Sequence, residues 1–500
     1  MAHEIGEDHL DPTAELTLDI VKKRAVKGVL ALTGRTFFLR MIGVVALGFL
    51  WAYLTQYEFG VFLVVSAIVN FLSYFSDIGL AAALIQKKET PTNIDLKTTF
   101  TVQQTLVLFS LLILYLVSPV VARTHSLTME GVTLLYALGI AFFISSLKSI
   151  PSVLLERKLE FGKFIIPQVL EEVVYYLCVV FFAWRGLGIT SFSYAVLIRG
   201  AVGLVTIYIL EPWKPGLAFS KKSLKELLSF GLPYQANTFL AVMKDDGMTI
   251  VLGSILGPAG VGILGTAQRL AQYPLRFFLD TVTKVTFPTF SRMQDNIGEL
   301  EKSVTRTIFF ITFLVFPAIV GIVLLTPLII EIIPRYQKWE PAILPLYLLS
   351  TNTFLAAVTT QLTNLLNATG RIKVTFKLMI MWSVLTWIFV PILSLKYGVV
   401  GSAVGYALVG ASSAVAIYIV KRMIDFSLTL SFYKPFVSSM VMAVVIVVAK
   451  YFLPANLLSL MIIIVLGGLA YILASYVFIG ISIIDDAKRG LKILLPNLKH

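Results

Sequence analysis

Apolar stretches of about 20 residues, the length at which an α-helix crosses the hydrocarbon core of a bilayer, recur along almost the whole chain. Such stretches have to be helical, because lipid offers no partner to an unpaired backbone N–H or C=O. With edges loose by a few residues they lie at 28–54, 58–82, 98–121, 129–151, 162–184, 187–210, 225–256, 258–290, 303–333, 342–368, 373–395, 399–421, 434–453 and 457–481. This predicts an all-α polytopic membrane protein of about 14 transmembrane helices. The loops between them are too short for a soluble domain. Only 14% of the residues are charged, against about 25% in soluble domains.

Basic residues orient the chain, since Lys and Arg accumulate in cytoplasmic loops. One set of segments runs from Lys22, Lys23, Arg24 and Lys27, through Lys87, Lys88 and Lys97, to Lys488, Arg489, Lys492 and Lys499. The alternate set holds only Arg123, Arg185, Arg335, Lys338, Lys396 and Lys450. Both termini are therefore expected in the cytoplasm. The net charge of +13 lies in these loops and not on a soluble face, which argues against nucleic acid as a partner. The first 20 residues carry Glu4, Glu7, Asp8, Asp11, Glu15 and Asp19, the reverse of a signal peptide's basic start, so no cleavage is expected. The single cysteine, Cys178, excludes a disulfide framework within the chain. His3, His9, His125 and His500 stand at the termini or in a loop, so no metal site and no intramembrane histidine cluster is expected.

An internal repeat divides the spans. Leu54 to Phe62 (LTQYEFGVF) corresponds to Leu256 to Leu264 (LGPAGVGIL), and Gly186 to Leu197 (GLGITSFSYAVL) to Gly398 to Val409 (GVVGSAVGYALV). The expected organisation is a polar tail over 1–24, a six-helix lobe over 25–212, and a second over 213–425. A helix pair at 426–484 and a basic tail at 485–500 follow. Two lobes with a site between them is a transporter plan.

Seven basic residues fall inside the apolar spans and clear of their loose edges: Arg35, Arg40, Arg199, Lys244, Arg269, Arg276 and Lys284. Each costs roughly 2.5–3.5 kcal/mol at the centre of a membrane helix on insertion scales. Such a set calls for a wet, anion-attracting interior. Arg269, Arg276, Asp280 and Lys284 follow at intervals of 7, 4 and 4 and so share one helix face, with Thr283 on the same stripe. Arg276–Asp280 and Asp280–Lys284 have ion-pair spacing, but no acid stands one turn from Arg269. Arg40 shares a face with Thr33 and Thr36, while Arg35 lies near enough to the cytoplasm to snorkel.

Polar clusters supply further candidates. Ser66, Asn70, Ser73 and Asp77 form a stripe on the second span, the serines suiting helix–helix hydrogen bonds. In the seventh span Gln235 and Asn237 precede Lys244, Asp245 and Asp246, of which one carboxylate is expected to neutralise a nearby cation. The fifth span carries Gln168, Glu171, Glu172 and Tyr175. Asp77, Asp245, Asp246, Glu171 and Glu172 are candidates for H⁺ or Na⁺ coupling or for gating. Asn352, Gln361 and Asn364 lead an amide- and hydroxyl-rich tenth span that suits sugar hydroxyls or helix packing equally. No nucleotide-binding motif, catalytic triad or cofactor site is present, so no enzyme activity and no cofactor are expected.

Tyr57 to Glu89 (YEFGVFLVVSAIVNFLSYFSDIGLAAALIQKKE) resembles the second-helix signature of Wzx-like polysaccharide flippases. These form a branch of the multidrug/oligosaccharidyl-lipid/polysaccharide exporter superfamily. PSVLLERKLEF from Pro151, LKELLSFGLP from Leu224 and FPTFSRMQ from Phe287 continue the likeness in order. It is greatest to the subgroup handling colanic-acid-like and teichuronic-acid-like polymers. The resemblance implies two six-helix lobes around a central cationic cavity. It implies transfer of an undecaprenyl-pyrophosphate-linked oligosaccharide from the inner to the outer leaflet of the bacterial cytoplasmic membrane by alternating access. It places arginines of the first and eighth helices on the pyrophosphate; Arg40, Arg269 and Arg276 occupy those helices here, Arg276 by spacing alone. The final helix pair is expected to groove the lipid tail, with membrane lipid and other polysaccharide assembly proteins as partners and a monomer as the working form. The chain departs from relatives at Lys244-Asp245-Asp246, where they carry amides. A multidrug antiporter of the same superfamily is the alternative, and a membrane polymerase or ligase, which needs a large outer loop, is a second.

Overall fold

The computed structural model describes the backbone of residues 18–480, and the side chains there apart from residues 18–33, 233, 234, 236–238, 280, 281 and 284. The acidic start and basic end of the chain, and the side chains of Thr33, Asn237, Asp280 and Lys284, lie outside the described residues. Among the described residues there are helices and no strands. Twelve stretches are long and apolar enough to cross a membrane. Two of them, Phe239–Leu279 and Ile372–Lys421, are each broken by a glycine in the left-handed region, Gly257 (φ 68°) and Gly398 (φ 59°). Dividing both gives fourteen passes, the number that window length predicts. The chain forms two compact units, Met1–Gly262 and Ile263–His500.

The first unit begins with α1 (Leu18–Tyr53) and α2 (Gln56–Asp77). Only two residues separate them, because Thr55 and Glu58 form a capping box that starts α2 at once. The apolar window runs on to 82, but the helix stops at Asp77, where Ile78 takes a left-handed φ of 44°. A short helix α3 (Leu80–Gln86) follows, then α4 (Asn93–Thr124), which starts before its apolar core because Thr92 and Asp95 form a second capping box. Next come α5 (Met129–Leu147), α6 (Ser149–Arg157), α7 (Phe161–Trp184) and α8 (Thr190–Leu210). An extended connection then reaches α9 (Lys221–Val242), with the N–H groups of Ala218 and Ser220 donating to the hydroxyls of Thr101 and Thr98 at 3.1 Å each. A π-helical turn at Met243–Gly247 leads into α10 (Met248–Met293), inside which the unit ends.

One contact in this unit is reciprocal. A Cβ on Gly60 of α2 would lie 1.7 Å from the Pro258 carbonyl oxygen of α10, and one on Gly262 of α10 would lie 2.0 Å from the Gln56 carbonyl oxygen. Residues 56 and 60 correspond to 258 and 262 in the repeat. Counterpart positions therefore meet main chain to main chain, an approach open only to glycine.

The second unit continues α10 and adds α11 (Ile297–Ile332), a 3₁₀ segment at Pro334–Ala342, α12 (Ile343–Ala368) and α13 (Ile372–Ala411). It closes with α14 (Ser413–Lys421), a π turn at Thr429–Tyr433, α15 (Lys434–Phe452) and α16 (Leu457–Ile479). Leu275 of α10 packs with Ile311, Val315, Phe316 and Ile319 of α11 and Ala357 of α12. Proline shapes the outer helices. Pro317 has no N–H for the Phe313 carbonyl one turn back, and that oxygen instead accepts the Tyr471 hydroxyl of α16 at 2.7 Å. The first unit repeats the device: Pro119 leaves the Tyr115 carbonyl to the Ser118 hydroxyl at 2.8 Å, which also meets the Tyr136 hydroxyl at 2.8 Å. Hydroxyls thus restore backbone hydrogen bonds that proline removes inside lipid.

Two glycine substitutions separate these effects. Gly60→Ala forces a methyl into the Pro258 carbonyl and is expected to cost about 3 kcal/mol or more. Gly34→Ala, where nothing lies within 4 Å, is expected to be neutral or stabilising by up to about 1 kcal/mol. Thermal unfolding of the two variants in detergent measures the difference.

Candidate functional site

The second half of α10 has two unlike faces. Leu264, Ala267, Ala271 and Leu275 are buried on one of them. Arg269, Tyr273, Arg276 and Thr283 stand about 150° away around the helix, turned from the core of their own unit. Arg276 is exposed, and Arg269 and Tyr273 are half-buried. Tyr273 lies within electrostatic reach of both guanidiniums. Sequence reasoning missed this ring, although its place four residues after Arg269 and three before Arg276 was the available signal. A lipid-facing stripe carrying two arginines would cost several kcal/mol, so the arrangement calls for a polar surrounding and presents two guanidiniums and an aromatic face to it.

In the first unit α1 is tied to α7 by Arg35, whose guanidinium donates to the Gln168 side chain. Arg35, expected to snorkel, thus meets a partner within the protein. Arg40, five residues on, is half-buried on the same helix. Glu171 and Glu172 of α7 are brought to two cations. Glu171 meets the Lys148 ammonium at 2.5 Å, and Glu172 meets the Arg199 guanidinium at 2.5 Å, with Glu171 3.9 Å from Arg199. Arg199 also lies over the Tyr175 ring, 5.5 Å from its centre. Gly203 of α8 makes room, since a Cβ there would fall 1.6 Å from the Glu171 carboxylate. The adjacent carboxylates Glu171 and Glu172 and the intramembrane Arg199 form one network in which each acid holds a cation.

The polar stripe of α2 meets α9 and the π turn after it. The Tyr74 hydroxyl donates to the Gln235 carbonyl, and the Gln235 amide donates back to the Tyr74 carbonyl at 2.7 Å. Asn70 hydrogen-bonds Asp246, and Asp245 pairs with Lys244 at 3.0 Å. All three charges lie in the π turn Met243–Gly247, a feature frequent at functional sites. Asp77 accepts the Ala81 N–H at 3.2 Å, capping α3, and the Gln103 amide at 3.4 Å. In the second unit Asn364 of α12 donates to the Thr286 hydroxyl of α10 at 2.8 Å, and that hydroxyl donates to the Gln361 side-chain Oε1 at 3.5 Å. Gln361 and Asn364 are buried there, and Asn352 stands half-buried against Gly410 of α13. In this conformation these amides serve helix contacts.

Between the spans, Lys87 joins three elements. Its ammonium lies 3.0 Å from Asp95 of α4 and 3.4 Å from Glu226 of α9, while the Ser223 hydroxyl donates to Asp95. Burial opposes its charge, but hydrogen bonding and attraction to Asp95 and Glu226 outweigh that and hold the ammonium above the ordinary lysine range. The contribution to folding is therefore fully present at neutral pH and is lost only as pH rises past that raised value. Among the described residues no group of three or more His, Cys, Asp or Glu side chains is placed to hold a metal ion.

The family model described as polysaccharide biosynthesis protein matches residues 52–344, more than half of the chain. The chain belongs to this family. It is 25% identical over 386 residues to the lipopolysaccharide biosynthesis protein WzxC of Escherichia coli (strain K12), covering 76% of this chain and 77% of that one. The structure is similar to that of the lipid II flippase MurJ in an inward-closed conformation, with a TM-score of 0.70 and 18% identity, over 90% of this chain and 98% of that one. It is also similar to the inward-facing form of a multidrug resistance MATE family transporter of the MOP superfamily, with a TM-score of 0.57 and 17% identity, over 77% and 94% of the two chains. The protein is thus a multi-pass membrane protein with the fold of those transporters.

The ion-pair network is open to a double-mutant test. Lys148→Met leaves Glu171 charged and under-compensated, with an expected loss of about 3 kcal/mol, and Lys148→Met combined with Glu171→Leu recovers most of it. Thermal unfolding of the single and double variants measures the coupling.

Proposed function

We propose that the protein flips an undecaprenyl-pyrophosphate-linked oligosaccharide from the inner to the outer leaflet of the bacterial cytoplasmic membrane, for polysaccharide export. The observation that carries this reading is the α10 stripe, two arginines turned from the core of their unit on a helix of flippase fold. Guanidiniums bind phosphate oxygens in pairs of parallel hydrogen bonds, and a pyrophosphate offers several such oxygens to Arg269 and Arg276, with Arg40 of α1 as the third cation. Family membership and the names carried by WzxC and MurJ support the same class of substrate.

In this reading the lobes over 25–212 and 213–425 alternate access, and the helix pair at 426–484 lies beside the lipid tail. The basic loops, and so both termini, face the cytoplasm, as the distribution of Lys and Arg supports. The protein moves its substrate without chemical change, works as a monomer, and delivers to other polysaccharide assembly proteins. Release of the phosphates needs their contacts weakened, which falls to H⁺ or Na⁺ at Asp77, Asp245 or Asp246, or to rearrangement of the network at Glu171 and Glu172. Asn352, Gln361 and Asn364 meet sugar hydroxyls once α12 and α10 part. The likeness to a multidrug transporter favours a second reading, export of organic cations, which a wall of guanidiniums opposes.

Reconstitution in proteoliposomes tests the two readings. Flipping of a labelled prenyl-pyrophosphate oligosaccharide is expected to fall at least about tenfold in Arg269→Ala, and less in Arg269→Lys. Equal rates in wild type and Arg269→Ala overturn the phosphate site, and transport of a cationic dye without lipid flipping favours the second reading.

A further inference from the structure

His125 is buried, at 4% exposure, although it stands in the loop that follows α4. It is the C-cap residue of that helix. Its Nδ1 lies 3.1 Å from the Val121 carbonyl oxygen of α4, and its Nε2 lies 3.1 Å from the Ile250 carbonyl oxygen of α10. The Ser254 hydroxyl is 3.3 Å from Nε2 and 3.4 Å from the same Ile250 oxygen. The seat is built for the ring: a Cβ on Gly253 would stand 2.7 Å from the His125 Cδ2 and 2.9 Å from Val64 of α2. The loop around it is fixed by Tyr57 of α2, which donates to the Ser126 carbonyl at 2.9 Å and accepts the Thr128 N–H at 3.2 Å.

We propose that His125 is a proton-binding site that clasps α10 to α4, closing as the imidazole takes up a proton and loosening as it gives the proton up. A neutral imidazole has one N–H and one lone pair. Facing two carbonyl oxygens, it can donate to only one and must aim a lone pair at the other, unless Ser254 abandons Ile250 to donate to Nε2. The imidazolium donates to both carbonyls, and charged donors make the stronger hydrogen bonds. Position adds to this, since a cation is stabilised at the negative end of a helix dipole.

The surroundings leave the imidazole as the group that responds. α2 offers Tyr57 and Val64, and α10 offers Ile250, Gly253 and Ser254, none of them charged near neutrality. Asp246, one turn before Ile250, is held by Asn70. Arg123 and Glu130, the charged residues on either side in sequence, are exposed. Histidine is the side chain whose charge ordinarily changes between pH 5 and 8. The site needs no assumption about what the protein transports.

Hydrogen exchange of the full-length protein in lipid nanodiscs tests the clasp. Protection of residues 248–256, corrected for the intrinsic pH dependence of exchange, is expected to be about tenfold greater at about pH 5.5 than at about pH 7.5. In His125→Gln, which keeps a donor and an acceptor but takes no charge, the two values are expected to agree. Ser254→Ala removes the donor that serves the neutral ring alone, so it is expected to lower protection at the higher pH and leave it unchanged at the lower. Protection that is the same at both pH values in wild type overturns the proposal, as does an undiminished pH difference in His125→Gln.

Discussion

Every backbone and side-chain polar group inside hydrocarbon must find its partner within the protein, and most of the local structure follows from meeting that demand. It turns apolar windows into helices, and it governs the exceptions equally. Where Pro317 and Pro119 remove an N–H, the hydroxyls of Tyr471 and Ser118 take the orphaned carbonyls. Where Glu171 and Glu172 stand side by side at membrane depth, Lys148 and Arg199 come from neighbouring helices to meet them. The contacts that look most specific are thus repairs to local deficits.

The arginine stripe of α10 stands out against that background. In the first unit Arg35 is drawn to Gln168 and Arg199 to Glu172. Arg269 and Arg276 are carried on the side of α10 opposite its buried leucines and alanines. A guanidinium turned from the core of its own unit calls for a polar surrounding.

The spans were legible because hydrophobic length is a property of consecutive residues, and the breaks at Gly257 and Gly398 fall within a residue or two of the predicted boundaries. The charged positions were legible one by one, since an ionisable residue in an apolar window needs no structure to be noticed. Their partners were not. Nothing in the sequence joins Lys148 to Glu171, and 23 residues of chain separate the two ends of their ion pair. Tyr273 was hidden by its type, as an aromatic in a membrane helix is ordinarily core or lipid contact. His125 was set aside because it lies in a loop, and its partner Ile250 stands 125 residues away. The stop at Asp77 depends on a left-handed Ile78, which no propensity announces.

The paired glycine contact between α2 and α10 has a mechanical consequence. With Gly60 seated on the Pro258 carbonyl and Gly262 on that of Gln56, the crossing touches at two equivalent points, each the image of the other. Sliding one helix along the other drives a glycine into a peptide unit, whichever direction is taken. The crossing therefore fixes the register of α2 against α10 by main chain alone.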